Sequence, residues 1–198
     1  MSVRYDLTAV EILKLLGYTE PVGKDAILQA EQDKAVKLPH ALFEFWSLAA
    51  DRPLFETADI WTKKRDFFWF TYNDIQEWIG CEKKYWEKAP QKYASLADWK
   101  VIDNHLSDFL MRSICDVLCC GEYDTAVDVL KEMGWVSEEA YPEDFPALDM
   151  EALLKQKSEY GADSVCGCAY DEEKHLLIAV KVDRADSRNG RMMTYRKE

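Results

Sequence analysis

The sequence predicts an α+β fold, a small mostly antiparallel sheet packed against several helices, on three observations. Phe67-Phe68-Trp69-Phe70 reads as a buried strand, and Ile75-Gln76-Glu77-Trp78-Ile79 as a mostly alternating partner joined to it by a tight turn at Asn73-Asp74. Just ahead of them, Leu42, Phe45, Trp46 and Ala49 fall on one helical stripe that needs an apolar surface to lie on. In the final third, Leu176-Leu177-Ile178-Ala179-Val180-Lys181-Val182 is a strong strand. With 198 residues, 48% of them hydrophobic and 13% aromatic, the chain can bury one good core and reads as a single domain over residues 1–198.

Taken in order, Thr8 is placed to cap a first helix whose apolar residues are Val10, Ile12, Leu13, Leu15 and Leu16, and Gly17 ends it. A second helix is expected from Lys24 to Lys37, on the surface, because Ile27, Leu28 and Val36 are its only large apolar residues. Pro39 opens the aromatic helix. Ile60-Trp61 is a candidate short strand, and Lys63-Lys64-Arg65 a solvated basic turn. Gln91 to Ala94 is a candidate edge strand. Ser107 is the expected N-cap of a helix from Asp108 to Cys120, with Phe109, Leu110, Ile114, Val117 and Leu118 inward until Gly121. Asp124 opens another that Gly134 closes, with Ala126, Val127, Leu130 and Met133 apolar. Tyr141-Pro142-Glu143-Asp144-Phe145-Pro146 is a loop signal, and Asp149 to Tyr160 an amphipathic helix. Ser164 to Tyr170 is a strand, Asp171 to Lys174 a turn, and Arg191 to Tyr195 a further strand after Asn189-Gly190. These last strands either extend the first sheet or form a lobe of their own.

Charge is unevenly spread. Gly121 to Glu173 holds 15 acidic and 3 basic residues, an excess equal to the chain's whole net charge of −12. Such a balance repels nucleic acid and attracts a basic protein partner. Within that segment Glu138, Glu139, Glu143 and Asp144 are the candidate partner-binding residues, because its polar, Pro-bounded loop can present carboxylates to a partner without a sheet or helix burying them. No run approaches the roughly 18 apolar residues of a membrane helix, and Arg4, Tyr5, Asp6 and Glu11 interrupt any leader, so the expectation is a cytoplasmic protein without a membrane partner.

Sites for chemistry are sparse. Cys115 and Cys119 share a helix face, and Cys166 and Cys168 a strand face, so a four-thiolate zinc site would need those two elements to meet. Structural zinc sites favour knuckle turns over apolar helices, so free core thiols are expected, with no bound metal and no disulfide. His40, His105 and His175 have no ligand or triad spacing, and no Gly-rich phosphate loop exists. No catalytic residue, cofactor or enzyme activity is expected. Trp46, Trp69 and Trp78 are expected in the core, and Trp46, Phe70 and Phe109 are expected to share it.

The order Leu38-Pro39, Leu42-x-x-Phe45-Trp46, the aromatic strand Phe67 to Phe70, a hairpin partner ending Trp78-Ile79-Gly80, and Leu106-Ser107-Asp108-Phe109-Leu110 resembles the SUKH superfamily, which includes cell-wall assembly regulators of the Smi and Knr type. The resemblance covers about Leu38 to Tyr123 and leaves about 124–198 as a C-terminal extension. In the hairpin, where the family often has a Glu-Asn-Gln-Gly turn and Trp-Gly-Ile, this chain has Tyr72-Asn73-Asp74 and Trp78-Ile79-Gly80. The resemblance implies an α+β protein-binding domain. In bacteria such a domain is most often an immunity protein that binds and neutralises a polymorphic toxin, for example a basic nuclease, as in toxin-antitoxin pairs. The alternative it implies is an intracellular regulator or scaffold of the Smi/Knr type with no toxin partner.

Overall fold

The computed structural model describes residues 3–33, 35, 37–38, 40–49, 62–64, 67–72, 75–82, 93–95, 106–119, 124–154, 164–183 and 190–198. In chain order the elements are β1 (Val3–Arg4), α1 (Ala9–Leu16), α2 (Lys24–Asp33), α3 (His40–Ala49), β2 (Thr62–Lys64), β3 (Phe67–Tyr72), β4 (Ile75–Glu82) and β5 (Tyr93–Ser95). They continue with α4 (Leu106–Cys119), α5 (Asp124–Glu132), β6 (Trp135–Ala140), a 3-10 turn (Pro142–Asp144), α6 (Met150–Leu153), β7 (Ser164–Asp171), β8 (Leu176–Asp183) and β9 (Gly190–Lys197). The fold is α+β, with two antiparallel sheets of order β1-β7-β8-β9-β6 and β2-β3-β4-β5. The chain divides into two units, one of Ala9–Leu110 with Ser158–Gly161, the other of Met1–Thr8, Met111–Lys157 and Ala162–Glu198.

In the first unit, α1 buries Ala9, Ile12, Leu13 and Leu16, the spacing of one helical face. Gly17 ends it at φ 107, the left-handed region that glycine reaches without a Cβ penalty. The N–H of Tyr18 donates to the Leu13 carbonyl and that of Gly17 to Lys14, so the last carbonyls are satisfied in a Schellman motif. The second helix is shorter than the sequence predicts, ending at Asp33 rather than Lys37. The cause is Glu31, which is 5% exposed rather than solvated. Its carboxylate accepts the Leu38 N–H at 2.7 Å and meets the Lys37 ammonium at 2.6 Å. Those bonds fold the chain back through Ala35, at φ 49, and satisfy a charge that would be costly to bury alone. In α3 the predicted stripe of Leu42, Phe45, Trp46 and Ala49 is buried, and Leu48 with it.

The predicted hairpin is present in the backbone, with Phe70 opposite Ile79, Trp69 opposite Gly80, and a register shift between Thr71 and Tyr72. Lys63 and Lys64 are not in a turn: they pair with Phe68 and Phe67 as strand β2. The expected edge strand forms at Tyr93–Ser95, against β4. Ile60-Trp61, the Asn73-Asp74 turn and His105 lie outside the described residues, as do the side chains of Trp69, Phe70, Trp78 and Phe109. Helix α4 begins at Leu106, so Ser107 sits inside it and is not its cap.

The second unit is built on the five-stranded sheet. The strands of the final third form a sheet of their own, flanked by two strands that the sequence does not announce, β1 and β6. Side chains alternate across it. One face carries Ala169, Ile178, Val180, Met192 and Ala140, with Leu148 and Leu153 of the following loop and α6 laid over them. The other carries Cys166, Cys168, Leu177, Ala179, Met193 and Tyr195, each at most 6% exposed. Against that face lies the second half of α4: the Tyr195 hydroxyl donates to the Leu118 carbonyl, and Cys115 meets Cys168.

Helix α6 is one turn long where the sequence predicts three. Asp149 caps it, its Oδ1 accepting the Ala152 N–H at 2.9 Å, and residues 155–160 lie outside the described residues. Its last turn rests directly on β7, where a Cβ on Gly167 would fall 1.8 Å from the Leu153 carbonyl oxygen. The predicted turn after β7 is held by the buried Asp171, whose Oδ1 accepts the N–H groups of Glu173 and Lys174 at 3.1 and 3.3 Å.

Candidate functional site

The candidate partner residues occupy one edge of the five-stranded sheet and the turn that follows it. Glu138 and Glu139 are not in a loop, as the sequence reading has them, but in β6, paired with Thr194 and Met193 of β9. Both are exposed. Glu198 N–H donates to the Gly134 carbonyl at the start of this pairing, so alternate β6 residues point their backbone groups at β9. Charged residues on an edge strand also discourage unwanted strand pairing, which gives Glu138 and Glu139 a structural reason to be where they are.

The four carboxylates are not equivalent. Asp144 Oδ2 accepts the Tyr141 N–H at 2.9 Å while the Asp144 N–H donates to the Tyr141 carbonyl, also at 2.9 Å. This closes the turn, and makes Asp144 a brace. Glu139 lies 3.5 Å from Arg191 Nε of β9, both partly exposed, where screening leaves such a pair worth about 1 kcal/mol or less. Glu138 and Glu143 form no ion pair among the described residues. Asp171, another acid of the same charged segment, is wholly buried and unavailable to a partner.

Beside this edge opens a groove of about 550 Å³, lined by Met150, Leu154, Val180, Val182 and Met192, with Tyr141, Glu139, Glu143 and Arg191 among its other walls. Tyr141 is 61% exposed. A smaller cavity of about 250 Å³ reaches Cys168 from Tyr5, Asp6 and Met111.

The two cysteine pairs singled out by spacing do meet. Cys115 and Cys119 of α4 and Cys166 and Cys168 of β7 are all buried and free, with Cys115 Sγ 3.6 Å from Cys168 Sγ. A hydrogen bond with Cys166 favours the Cys115 thiolate, but the bond with Cys168, burial and repulsion from Cys168 and Cys119 outweigh it and hold the thiol well above its ordinary pKa. Cys168 is likewise raised: the Cys115 hydrogen bond is overcome by burial and by Cys119 and Cys166. Burial also lifts the Tyr195 phenol. These are protonated, weakly nucleophilic groups at neutral pH. Among the described residues no group of three or more His, Cys, Asp or Glu is arranged to hold a metal ion.

His40 is exposed at the start of α3, 3.2 Å from Glu44, and His175 sits in the turn after β7, its Nδ1 3.2 Å from the Tyr170 hydroxyl. Trp46 is buried as expected. Trp135 is buried too, with the Lys197 ammonium 5.8 Å from its ring centre. No helix among the described residues is long and apolar enough to cross a membrane. The groove went unread in the sequence because its walls come from β6, α6, β8 and β9, which share no periodicity. No family model, no curated protein and no solved structure matches the chain.

Proposed function

We propose that this chain is a non-enzymatic protein-binding domain that receives a basic protein partner on the β6 edge, and that it acts as an immunity protein neutralising a cognate bacterial toxin. The observation that carries the reading is the placement of Glu138, Glu139 and Glu143. All three are exposed at one end of one sheet, next to the exposed Tyr141, in the segment whose acidic excess equals the chain's net charge. A basic nuclease domain is the partner such a surface attracts, and neutralisation would follow from stoichiometric occlusion of its substrate face. Charges of this kind act mainly on association, and their reach is about 10 Å at 0.1 M salt but about 3 Å at 1 M.

The test searches the neighbouring reading frames for a basic toxin domain and measures its association with this protein by stopped flow. Replacing Glu138, Glu139 and Glu143 together by Lys should slow association at least tenfold at low salt, with the difference shrinking in high salt. Asp144 is left out of the variant because it braces the turn. Equal rates for variant and parent at low salt would refute the assignment.

A further inference from the structure

The groove beside Tyr141 is the least finished part of the sheet's packing. Its floor is closed, with Ala140, Val180 and Met192 each at most 8% exposed, whereas Met150, Leu154 and Val182 above it are only partly buried. A volume of about 550 Å³ lies within the roughly 300–1,000 Å³ of pockets that enclose a ligand or a large inserted group. Tyr141 is one of only two large hydrophobic residues that stand exposed among the described residues. The same groove is bordered by Glu143 and by β6 at Glu139, where the alternation along the strand puts the Glu138 side chain on the groove's face with Ala140 and the Glu139 side chain on the other, beside Arg191.

We infer that this groove anchors an aliphatic or aromatic side chain from a basic segment of the protein partner, with Lys or Arg on either side of the anchor meeting Glu138 and Glu143. The inference rests on the partner reading above and adds to it the element that would hold the complex together. Interfaces draw most of their energy from a few apolar anchors seated in pockets, while rim charges set the encounter rate. A second copy of this chain does not fit, since it would bring a net charge of −12 to an acidic rim. An acidic or purely apolar occupant fits no better, because it would desolvate Glu138 and Glu143, which form no ion pair among the described residues, with no cation beside them.

The six methionines supply the readout, because Met150 and Met192 line the groove while Met111, Met133 and Met193 do not. The full chain carrying carbon-13 methyl methionine is titrated with the acetylated, amidated tripeptide Lys-Trp-Lys, followed by methyl NMR. Saturable shifts are expected at Met150 and Met192 alone. The tripeptides Lys-Ala-Lys and Glu-Trp-Glu should bind at least about tenfold more weakly, the first for want of an anchor and the second for like charge. Val182→Phe should abolish the shifts by filling the groove, and Met111, Met133 and Met193 report whether that variant keeps its fold. Should it not, Met150→Ala, which widens the groove, serves instead and should shift the affinity while Met192 still responds.

No saturable shift at Met150 and Met192, or equal binding of Glu-Trp-Glu, would overturn the inference. Failure here and failure of the partner reading are separable. If the triple Lys variant slows toxin association but the groove methyls ignore Lys-Trp-Lys, the groove assignment falls alone. If the methyls respond as expected but charge reversal leaves toxin association unchanged, the partner reading falls and the groove stands.

Discussion

The two faces of the five-stranded sheet are finished to different degrees. The face under α4 is sealed: Cys166, Cys168, Leu177, Ala179, Met193 and Tyr195 are nearly inaccessible, and the Tyr195 hydroxyl deep within it has its partner in the Leu118 carbonyl. The opposite face is covered by Phe145, Leu148 and the single turn of α6, and it leaves Met150, Leu154 and Val182 half-covered around a groove. A long helix buries one face with one continuous stripe, whereas a short turn and a loop cannot. The sealed face accounts for stability, and the open one is where a binding surface has room.

That contrast is broken most directly by cavity-forming substitutions on each side. Leu177→Ala, at a site with no exposure, should cost about 2–5 kcal/mol, enough to unfold a domain of ordinary stability or nearly so. Val182→Ala, on the open face, should cost about 1 kcal/mol or less, because the site is already partly wet. Urea denaturation of both variants measures the difference. Similar losses for the two would mean that the groove is as tightly packed as the sealed face. Gly167→Ala falls between: its methyl would strike the Leu153 carbonyl, so it should cost about 1–3 kcal/mol by forcing α6 off the sheet.

The same contrast explains what the sequence revealed and what it did not. Strand β8 was legible because Leu176 to Val180 are apolar without a break and Ile178, Val180 and Val182 are β-branched. Strand β6, Trp135-Val136-Ser137-Glu138-Glu139-Ala140, was not: its acids argue against a strand, and it owes its conformation to six pairings with β9. Strand β1 is only two residues long, paired with Asp171 and Tyr170, far too short to carry a pattern. On α2 the sequence pointed the wrong way, because helix propensity cannot foresee that Glu31 turns inward to take the Leu38 N–H. The cysteines were half legible: the spacings gave each pair a shared face, but that the two faces meet depends on α4 crossing β7. Glu138, Glu139, Glu143 and Asp144 were legible as a cluster of charge, while their separate roles, edge residue, ion pair, exposed acid and brace, were set by neighbours from β9 and the turn.

A second way to sharpen the comparison uses pH. Cys115 and Cys168, on the sealed face, hold their protons more tightly folded than unfolded, since burial and neighbouring thiols disfavour the thiolate. A group whose folded pKa is raised stabilises the protein fully below its unfolded pKa, about 8.5 for a thiol, and that contribution is lost as pH rises toward the folded value. The urea midpoint should therefore fall above about pH 8.5, and Cys115→Ala should flatten the fall at the cost of a small cavity. A thiol reagent should label the unfolded chain far faster than the folded one. Rapid labelling of folded Cys115 would mean that the face under α4 opens readily.

The smallest expected effect separates two carboxylates one residue apart. Glu143 and Asp144 both lie in the exposed 3-10 turn, and by charge alone they are interchangeable. By bonding they are not: the Asp144 carboxylate accepts the Tyr141 N–H, while Glu143 forms no ion pair among the described residues. Removing a side chain that caps a backbone N–H costs about 0.5–2 kcal/mol, and removing a solvated surface acid changes stability by about 0.5 kcal/mol or less. Asp144→Ala should therefore lower the melting temperature measurably and Glu143→Ala should not. Their effects on partner association should run the other way, with Glu143→Ala slowing encounter through lost charge at an intact turn. Asp144→Asn keeps an acceptor oxygen while removing the charge, so it should recover most of the stability lost in Asp144→Ala. If Asp144→Asn and Asp144→Ala melt alike, the turn is held by its backbone bonds and by Pro142, and Asp144 returns to the set of residues free to meet a partner.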